Sequence, residues 1–530
     1  MRRLGPTRCQ AGFQGIACLA LALALVPSRN ALAYPYEALR PAEQVIGGPT
    51  DGYLSALHYN PAGLRLFPGS QLLAVGGVRG SFGGYRRNTP LPSGYAPGST
   101  TAQNPDQTRI GWATSDMMVA GSWDLRTEAV TLGLGVYTPS NDETLYADGD
   151  PRGEGAQKLA GRYHVIADRT YSVRGTVAVG LRLRPWFYAG AGFQFAYTHS
   201  RMRFLRDMDP QLRDNLPCAS PTACEQWSNR QLIDFDVSGW GYGFTAGVLF
   251  EPIDNKLWLG VSYVSPLFSS QGAEVGLDGA PQRLPWQGAD QISACGEGGT
   301  GVRSARGEEP TICGVAHMAR SFPHLAYFGA RGRITISPAP PVLSDDGSFT
   351  EAAPSSRFSP YAIDLTGWIR LNVPTREVLL LSMEPRIYGP GQLTLQTAQR
   401  PAVALTFGVR QLWRSLILAQ EVLYESSRTD SSAVSPGNLE SHKLDLSLAA
   451  RIKLQKRLWL LVTVGLTGYI FSSDAGSGFS SDYVAACRAT DYDVNTDACR
   501  NVQNGWGIPT AAGAYWMLVP HGATGLELNL

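Results

Sequence analysis

Apolar residues recur at every second position through most of this chain. Tyr171, Val173, Gly175, Val177, Val179, Leu181 and Leu183 alternate with Ser172, Arg174, Thr176, Ala178, Gly180, Arg182 and Arg184. Leu444, Leu446, Leu448, Ala450, Ile452 and Leu454 alternate with Lys443, Asp445, Ser447, Ala449, Arg451 and Lys453. A period of two puts the two sets on opposite faces of a strand. Each run exceeds the usual globular strand of about five or six residues and reaches the roughly ten that a tilted strand uses to cross a bilayer. One greasy face and one arginine-studded face on the same strand predict a wall with lipid on one side and a polar lumen on the other. The expected fold class is all-β, a transmembrane antiparallel β-barrel.

The first 69 residues do not share the pattern. Residues 1–33 have the layout of an export signal: Arg2, Arg3 and Arg8, the apolar run Ile16 to Val26, and the A-x-A site Ala31-Leu32-Ala33. No later stretch offers about 18 apolar residues, so no second spanning helix is expected. Residues 34–69 contain Ala56-Leu57-His58-Tyr59-Asn60-Pro61-Ala62-Gly63-Leu64, in which Asn-Pro and Ala-Gly are turn and cap signals. This segment is predicted to be compact and irregular, and the barrel to occupy residues 70–530.

Hairpins show as two long runs joined by a tight turn: at Arg184-Pro185, Glu251 to Lys256, Arg414-Ser415 and Gln455-Lys456-Arg457. Long polar loops separate them, including Ser200–Arg230, Ser265–Arg320 and Ser472–Gln503. Short turns at one end and long loops at the other are the asymmetry of an outer-membrane barrel, whose strand number is normally even. The pattern gives 14 to 16 strand candidates, with Thr335 to Phe358 as a strap on the short-turn side. Trp112, Trp123, Tyr137, Trp186, Trp240, Trp258, Tyr263, Trp368, Trp413, Trp459 and Trp516 fall near strand ends, where a barrel places interfacial aromatic girdles. One strand is out of step: Ile233, Phe235 and Val237 are apolar at odd positions, and Trp240, Tyr242 and Phe244 at even ones. The phase flip at Ser238-Gly239 predicts a bulge or the point where the strand leaves the membrane.

Composition narrows the partners. The net charge of +1 over 530 residues gives no electrostatic case for nucleic acid. A mean hydropathy of −0.11 suits a barrel, which shows lipid only alternate residues. Cys9 and Cys18 lie within the signal, leaving Cys218 with Cys224, Cys295 with Cys313, and Cys487 with Cys499. Six cysteines allow fifteen connectivities, but each neighbouring pair sits within one polar loop of an exported chain, which favours local disulfides over free thiols. None of the seven histidines has a partner at metal-ligand spacing, and no nucleophile elbow, P-loop or dinucleotide fingerprint occurs. Asp234 and Asp236, two apart on one strand face, read as solvation rather than acid–base chemistry. No metal, no cofactor and no enzymatic activity are expected, although a hydrolase assembled across strands escapes a linear scan.

Four stretches together resemble the FadL-type outer-membrane transporters of long-chain fatty acids and aromatic hydrocarbons. Asp51 to Leu64 (DGYLSALHYNPAGL) is similar to that family's N-terminal hatch, with Asn60, Pro61 and Ala62 matching its Asn-Pro-Ala motif. Val130 to Pro139 (VTLGLGVYTP) resembles the strand that follows, with Gly133, Gly135 and Pro139 in place. Gly239 to Pro266 resembles a family hairpin, and Phe322-Pro323-His324 with Phe328-Gly329 the opening of the next strand. The segment ahead of the Asn-Pro-Ala motif is short, represented by Val45-Ile46-Gly47-Gly48, and the chain ends in Leu530 rather than an aromatic residue.

The resemblance implies about fourteen strands plugged by residues 34–69, in the outer membrane of a Gram-negative cell. It implies passive uptake of a hydrophobic small molecule, most simply a long-chain fatty acid, through a movable hatch and a kinked strand. The gating residues implied are Asn60, Pro61, Ala62, Gly133, Gly135 and Pro139; ligand contacts are not transferable. Gly133 and Gly135 read equally well as an inward-bulging backbone or as packing sites. Membrane lipid and the substrate are the expected partners, and a monomer is expected. The alternative is an adhesive surface barrel with disulfide-bonded loops and no transport; a soluble exported β-sandwich is the alternative fold.

Overall fold

The computed structural model describes residues 45–66, 69–88, 107–125, 127, 129–146, 164, 167–207, 230–268, 275–285, 302–303, 310–311, 315–320, 322–336, 361–375, 378–384, 392–396, 398–436, 439–478, 486–487, 489–490, 493, 495–503 and 511–530. The signal 1–33 lies outside them, as do Cys218, Cys224, Cys295 and Cys313 and residues 337–358 of the strap. Cys487 and Cys499 form a disulfide, with their Cα atoms 4.6 Å apart.

The chain forms a closed, antiparallel barrel of 14 strands. They are β1 (Gln71–Arg87), β2 (Gln107–Trp123), β3 (Val130–Tyr146), β4 (Ala167–Arg184), β5 (Phe187–Asp207), β6 (Arg230–Ile253) and β7 (Leu257–Val264). There follow β8 (His324–Thr335), β9 (Ala362–Val373), β10 (Ala402–Leu412), β11 (Leu416–Glu425), β12 (His442–Lys453), β13 (Leu458–Ile470) and β14 (Gly513–Asn529). Each pairs with its sequence neighbours, and β14 closes on β1 from Gln71 opposite Asn529 to Arg87 opposite Gly513. Closure leaves no free edge, which hydrocarbon would not tolerate. Four strands are continued on the long-loop side by Val275–Pro285, Val315–Arg320, Val378–Glu384 and Gln392–Gln396, which extend the wall.

The turns lie where the pattern placed them. In the β6–β7 turn Asn255 takes a left-handed φ of 54°, a conformation its short polar side chain tolerates, and its N–H donates to Glu251 Oε1 at 2.8 Å. The phase flip at Ser238-Gly239 is not a bulge, because β6 pairs with β5 without interruption from Phe250 to Arg230. What changes there is the other neighbour: β6 runs beside β7 from Thr245 to Ile253 and beside Val275–Pro285 from Gln231 to Ser238.

Burial is inverted relative to a water-soluble protein. On β12, Leu448 is 55% exposed while Asp445 is 1% exposed. The same holds on β4, where Val177 faces out and Ser172, Arg174 and Thr176 are buried. The apolar belt runs round the barrel through Leu134, Phe193, Phe328, Ile369 and Phe407, and it is a lipid-facing surface. Trp123, Trp186, Trp240 and Trp516 belong to that outer face. Tyr137, Trp258 and Trp368 do not: their register turns them inward, where they are buried in the lumen. Among the described residues no helix is long and apolar enough to cross a membrane.

Leu448→Arg, near the middle of β12, is expected to destabilise the folded barrel by about 2–4 kcal/mol. Denaturant titration of the barrel refolded into lipid vesicles measures this, and Leu448→Ile should move the midpoint little.

Candidate functional site

Residues 45–66 lie inside the barrel. A short helix, α1 (Ala56–Tyr59), passes directly into a 3-10 turn, Pro61–Arg65, and almost every side chain in both is buried. Asn60 joins them in extended geometry (φ −161°, ψ 102°) and accepts the Ala62 N–H on its side-chain oxygen at 3.1 Å. This is an N-cap, and Pro61 at the first helical position has no N–H to leave unpaired. The Asn60 amide also donates to Pro49 O at 2.8 Å and, across to the wall, to Val248 O on β6 at 3.1 Å. One side chain therefore caps the turn, folds the segment back on itself and tethers it to a strand.

The wall makes room for this segment with glycines. A Cβ on Gly190 of β5 would lie 2.3 Å from Ala62 N, and one on Gly247 of β6 would lie 2.3 Å from Asn60 Oδ1. On Gly260 of β7 it would meet Pro49 O at 2.2 Å. These distances are far inside van der Waals contact, so any side chain would push the segment off the wall. Gly133 and Gly135 of β3 belong to the same floor: added Cβ atoms would meet Leu57 at 2.9 and 2.8 Å. Both remain in regular pairing, opposite Ser122 and Ala120 of β2.

The irregularity of β3 lies at Pro139. Pairing between β2 and β3 runs from Trp123–Leu132 to Met118–Tyr137 and resumes only at Gly111–Leu145. In the interval residues 112–117 of β2 face residues 138–144 of β3, so β3 has one residue more. On its other side the same excess appears as a bulge, with Thr138 and Pro139 opposite Val173 of β4. β2 meanwhile stays paired with β1 throughout, so the wall parts locally between β2 and β3. Proline has no N–H for the ladder, which suits it to the bulge. The Thr138 hydroxyl accepts the Met117 N–H at 2.8 Å in place of a backbone carbonyl.

An ion-pair cluster holds the other side of the inner segment. Asp51 is 1% exposed and receives Arg410 of β10 through two bonds, 2.6 Å to Oδ1 and 2.9 Å to Oδ2. Arg331 of β8 donates to Oδ1 as well, at 2.9 Å, and stacks over the Trp258 ring at 3.9 Å. Burial by itself would raise the Asp51 carboxyl, but the Arg410 and Arg331 guanidiniums outweigh it and hold the carboxyl below the ordinary aspartate value. Removing one partner from a buried pair costs about 3–5 kcal/mol, since the other charge is then stranded. Nearby, Arg333 makes a two-pronged pair with Asp364 at 2.6 and 2.8 Å.

Toward the long-loop side lies an aromatic and aliphatic cluster of Tyr59, Val264, Leu325, Tyr327, Trp368 and Leu423. Further apolar clusters pack the inner segment against the wall, around Leu57 and Met118 and around Ile46 and Ile417, and between them polar side chains pair with one another. Asp445 accepts from Ser447 at 2.6 Å and Thr467 at 2.7 Å and meets His521 Nε2 at 2.6 Å. Glu425 and Glu440 pair with Arg370 and Lys443, each at 2.6 Å. Among the described residues no three His, Cys, Asp or Glu are grouped to hold a metal ion.

The alternating pattern did not single out Asp51, Arg331 or Arg410. Their only signal is that two arginines occupy inward positions on strands whose neighbouring residues face lipid, a costly placement that calls for a buried counter-charge.

A closed antiparallel barrel with an apolar outer face, holding residues 45–66 of the same chain inside it, defines the class as transmembrane β-barrels. No family model and no curated protein matches the sequence. Solved structures match its fold, which is that of the FadL-type outer-membrane transporters. A FadL homologue of Pseudomonas aeruginosa superposes with a TM-score of 0.64 at 14% identity, covering 94% of this chain and 100% of that one. The toluene transporter TodX of Pseudomonas putida gives 0.58 at 10%, covering 94% and 100%, and TbuX of Ralstonia pickettii gives 0.54 at 11%, covering 93% and 99%. At these identities the likeness is one of fold.

Two outcomes follow from the site geometry. Gly190→Val should leave the barrel folded, with unchanged heat-modifiable mobility on gels, while exposing residues 45–66 to protease added to vesicles. A depressed aspartate contributes stability above its unfolded pKa and loses it as pH falls through the folded one. The inner segment should therefore stay protected from neutral pH down through 3.8 and loosen only at more acid values, read by protection of its peptide in hydrogen exchange.

Proposed function

We propose that this chain is a passive outer-membrane channel for hydrophobic small molecules, and that residues 45–66 are its hatch. The observation that carries this reading is the parted wall between β2 and β3 beside a lumen that its own N-terminal segment fills. An apolar molecule gains little from a water-filled pore. A gap in the wall lets it leave sideways into hydrocarbon without crossing water, with a gain of about 25 cal/mol per Å² of apolar surface transferred. Asn60, Pro61 and Ala62 shape the hatch, Gly133 and Gly135 seat it, and Pro139 keeps the exit open. The lipid-facing belt and the export signal support the outer membrane as its location. The TodX and TbuX structures are those of toluene transporters, and the fold is shared with a FadL homologue, so a long-chain fatty acid and an alkylbenzene are the substrates to try first.

The test is uptake of labelled oleate and labelled toluene by cells with and without the protein. Deleting Pro139 removes the one-residue excess of β3, so the ladder should close from Trp123 to Gly111. Uptake should then fall to the level of cells lacking the protein while the barrel remains folded. Undiminished uptake by the deletion variant would place the exit elsewhere. No uptake by correctly inserted wild-type protein would favour an adhesive surface barrel.

A further inference from the structure

A tyrosine and a histidine are joined in the same way at two places on the outer face of the barrel. The Tyr263 hydroxyl lies 2.7 Å from His324 Nδ1, with the ring centroids 6.0 Å apart. The Tyr424 hydroxyl lies 2.7 Å from His442 Nδ1, again with centroids 6.0 Å apart. Each tyrosine is the last residue but one of its strand, β7 or β11, and each histidine opens the next, β8 or β12. Each tyrosine stands opposite the residue two beyond its histidine, Ala326 or Leu444, so the bond runs diagonally across the strand pair. Each histidine stands opposite the last residue of the following strand, Val373 of β9 or Ile470 of β13. An aromatic girdle needs only rings at the right depth; it does not need this bond, made twice in one geometry.

Phase and depth say what the pairs face. Tyr263 shares its side of β7 with Val261, and His324 its side of β8 with Phe328. Tyr424 shares its side of β11 with Val422, and His442 its side of β12 with Leu444. All four of those neighbours are exposed on the lipid-facing belt, while the tyrosines and histidines are half-buried. Both pairs sit at strand ends joined by long loops, so they stand where the hydrocarbon stops and the headgroups of the outward leaflet begin. A phenol and a neutral imidazole carry two polar hydrogens, and the bond between them uses one. If the phenol donates, the imidazole keeps an N–H at Nε2; if Nδ1 donates, the phenol keeps its O–H. Either way each pair retains one donor beyond the bond it shares.

We propose that the Tyr263–His324 and Tyr424–His442 pairs each bind the phosphate of a lipid headgroup in the outward leaflet, that of a phosphorylated glycolipid of the lipid A class. A donor at the edge of hydrocarbon needs an acceptor, and anionic phosphate oxygens form charge-assisted bonds, stronger than those to water or to an ester carbonyl. The bond within each pair holds the imidazole in one orientation, as a second hydrogen bond orients a metal-ligating histidine. Beneath the pairs, Val261 with Phe328 and Val422 with Leu444 offer the acyl chains of the same molecule an apolar track. An anion free in solution gains nothing from that track, which assigns the phosphate to a lipid. This outer-face site is separate from the lumen and does not depend on what passes through it.

Native mass spectrometry of the full-length protein in detergent, titrated with lipid A, reads how many lipids stay bound and how firmly. Wild type should hold lipid A at each pair about tenfold more tightly than lipid A stripped of its phosphates, the worth of one charge-assisted bond. His324→Phe and His442→Phe keep a ring and remove the donor, so each should lose one tightly held lipid, and the double variant the whole preference. His442→Gln, which keeps an N–H, should retain part of what His442→Phe loses. Excess inorganic phosphate should leave lipid A bound. Heat-modifiable mobility checks that each variant is folded. Should one not fold, isotope-labelled histidine in the wild type decides: lipid A should move the His324 and His442 imidazole signals, and its dephosphorylated form should not. Equal retention of the two lipids by wild type, or an undiminished preference in the folded double variant, would overturn the assignment to these pairs. Displacement of lipid A by inorganic phosphate would make them a site for a solution anion and sink the lipid reading.

Discussion

In hydrocarbon an unpaired peptide group has no water to fall back on, and each one costs several kcal/mol. The barrel wall answers to that constraint. It explains why β14 returns to pair with β1 along nearly its whole length, and why the outer face alternates so strictly with the inner one. It also makes the lapse between β2 and β3 conspicuous. Between β2 and β3 the backbone ladder stops at Met118–Tyr137 and resumes at Gly111–Leu145, and a single extra residue in β3 accompanies the break.

The lumen is governed by a second requirement, that the space inside fourteen strands be filled or wetted. Here the filling is a short, capped segment of the same chain, and its fit depends on what the wall lacks. Glycines of β3, β5, β6 and β7 let Leu57, Asn60, Ala62 and Pro49 approach the strands more closely than any side chain would permit. On the opposite side the fit depends on what the wall supplies, since Arg331 and Arg410 reach in to Asp51. The segment is thus held by steric absence on one side and by charge on the other. Apolar contact is lost within about an ångström of displacement, whereas the attraction of a buried ion pair falls off slowly with distance, so the two sides hold the segment over different ranges.

Much of the barrel was legible because period-two alternation is a local signal that a membrane enforces residue by residue. Leu444, Leu446 and Leu448 could be assigned to lipid from their spacing alone, as could the turns at Arg184-Pro185 and Gln455 to Arg457. The same signal misled for the aromatics. Proximity to a strand end does not say which face a ring takes, so Tyr137, Trp258 and Trp368 read as interfacial although they point inward. It misled also at Ser238-Gly239, where a change of neighbouring strand mimicked a bulge.

The candidate site was legible in part. Asn60-Pro61-Ala62 stood out because turn and cap signals are a matter of adjacent residues, and Pro139 only through the family resemblance. Asp51 was visible only as the start of a motif, and its partners lie 280 and 359 residues away. By itself the sequence determined that this chain is a barrel with alternating faces and that residues 45–66 stand outside that alternation, since each of those properties is written in spacing along a few neighbouring residues. Only the tertiary structure decided which glycines floor the lumen, where the β2–β3 ladder breaks and which arginines pair with the inner segment. Those depend on the register of strands closed into a ring, which brings distant residues together by geometry that no local pattern encodes.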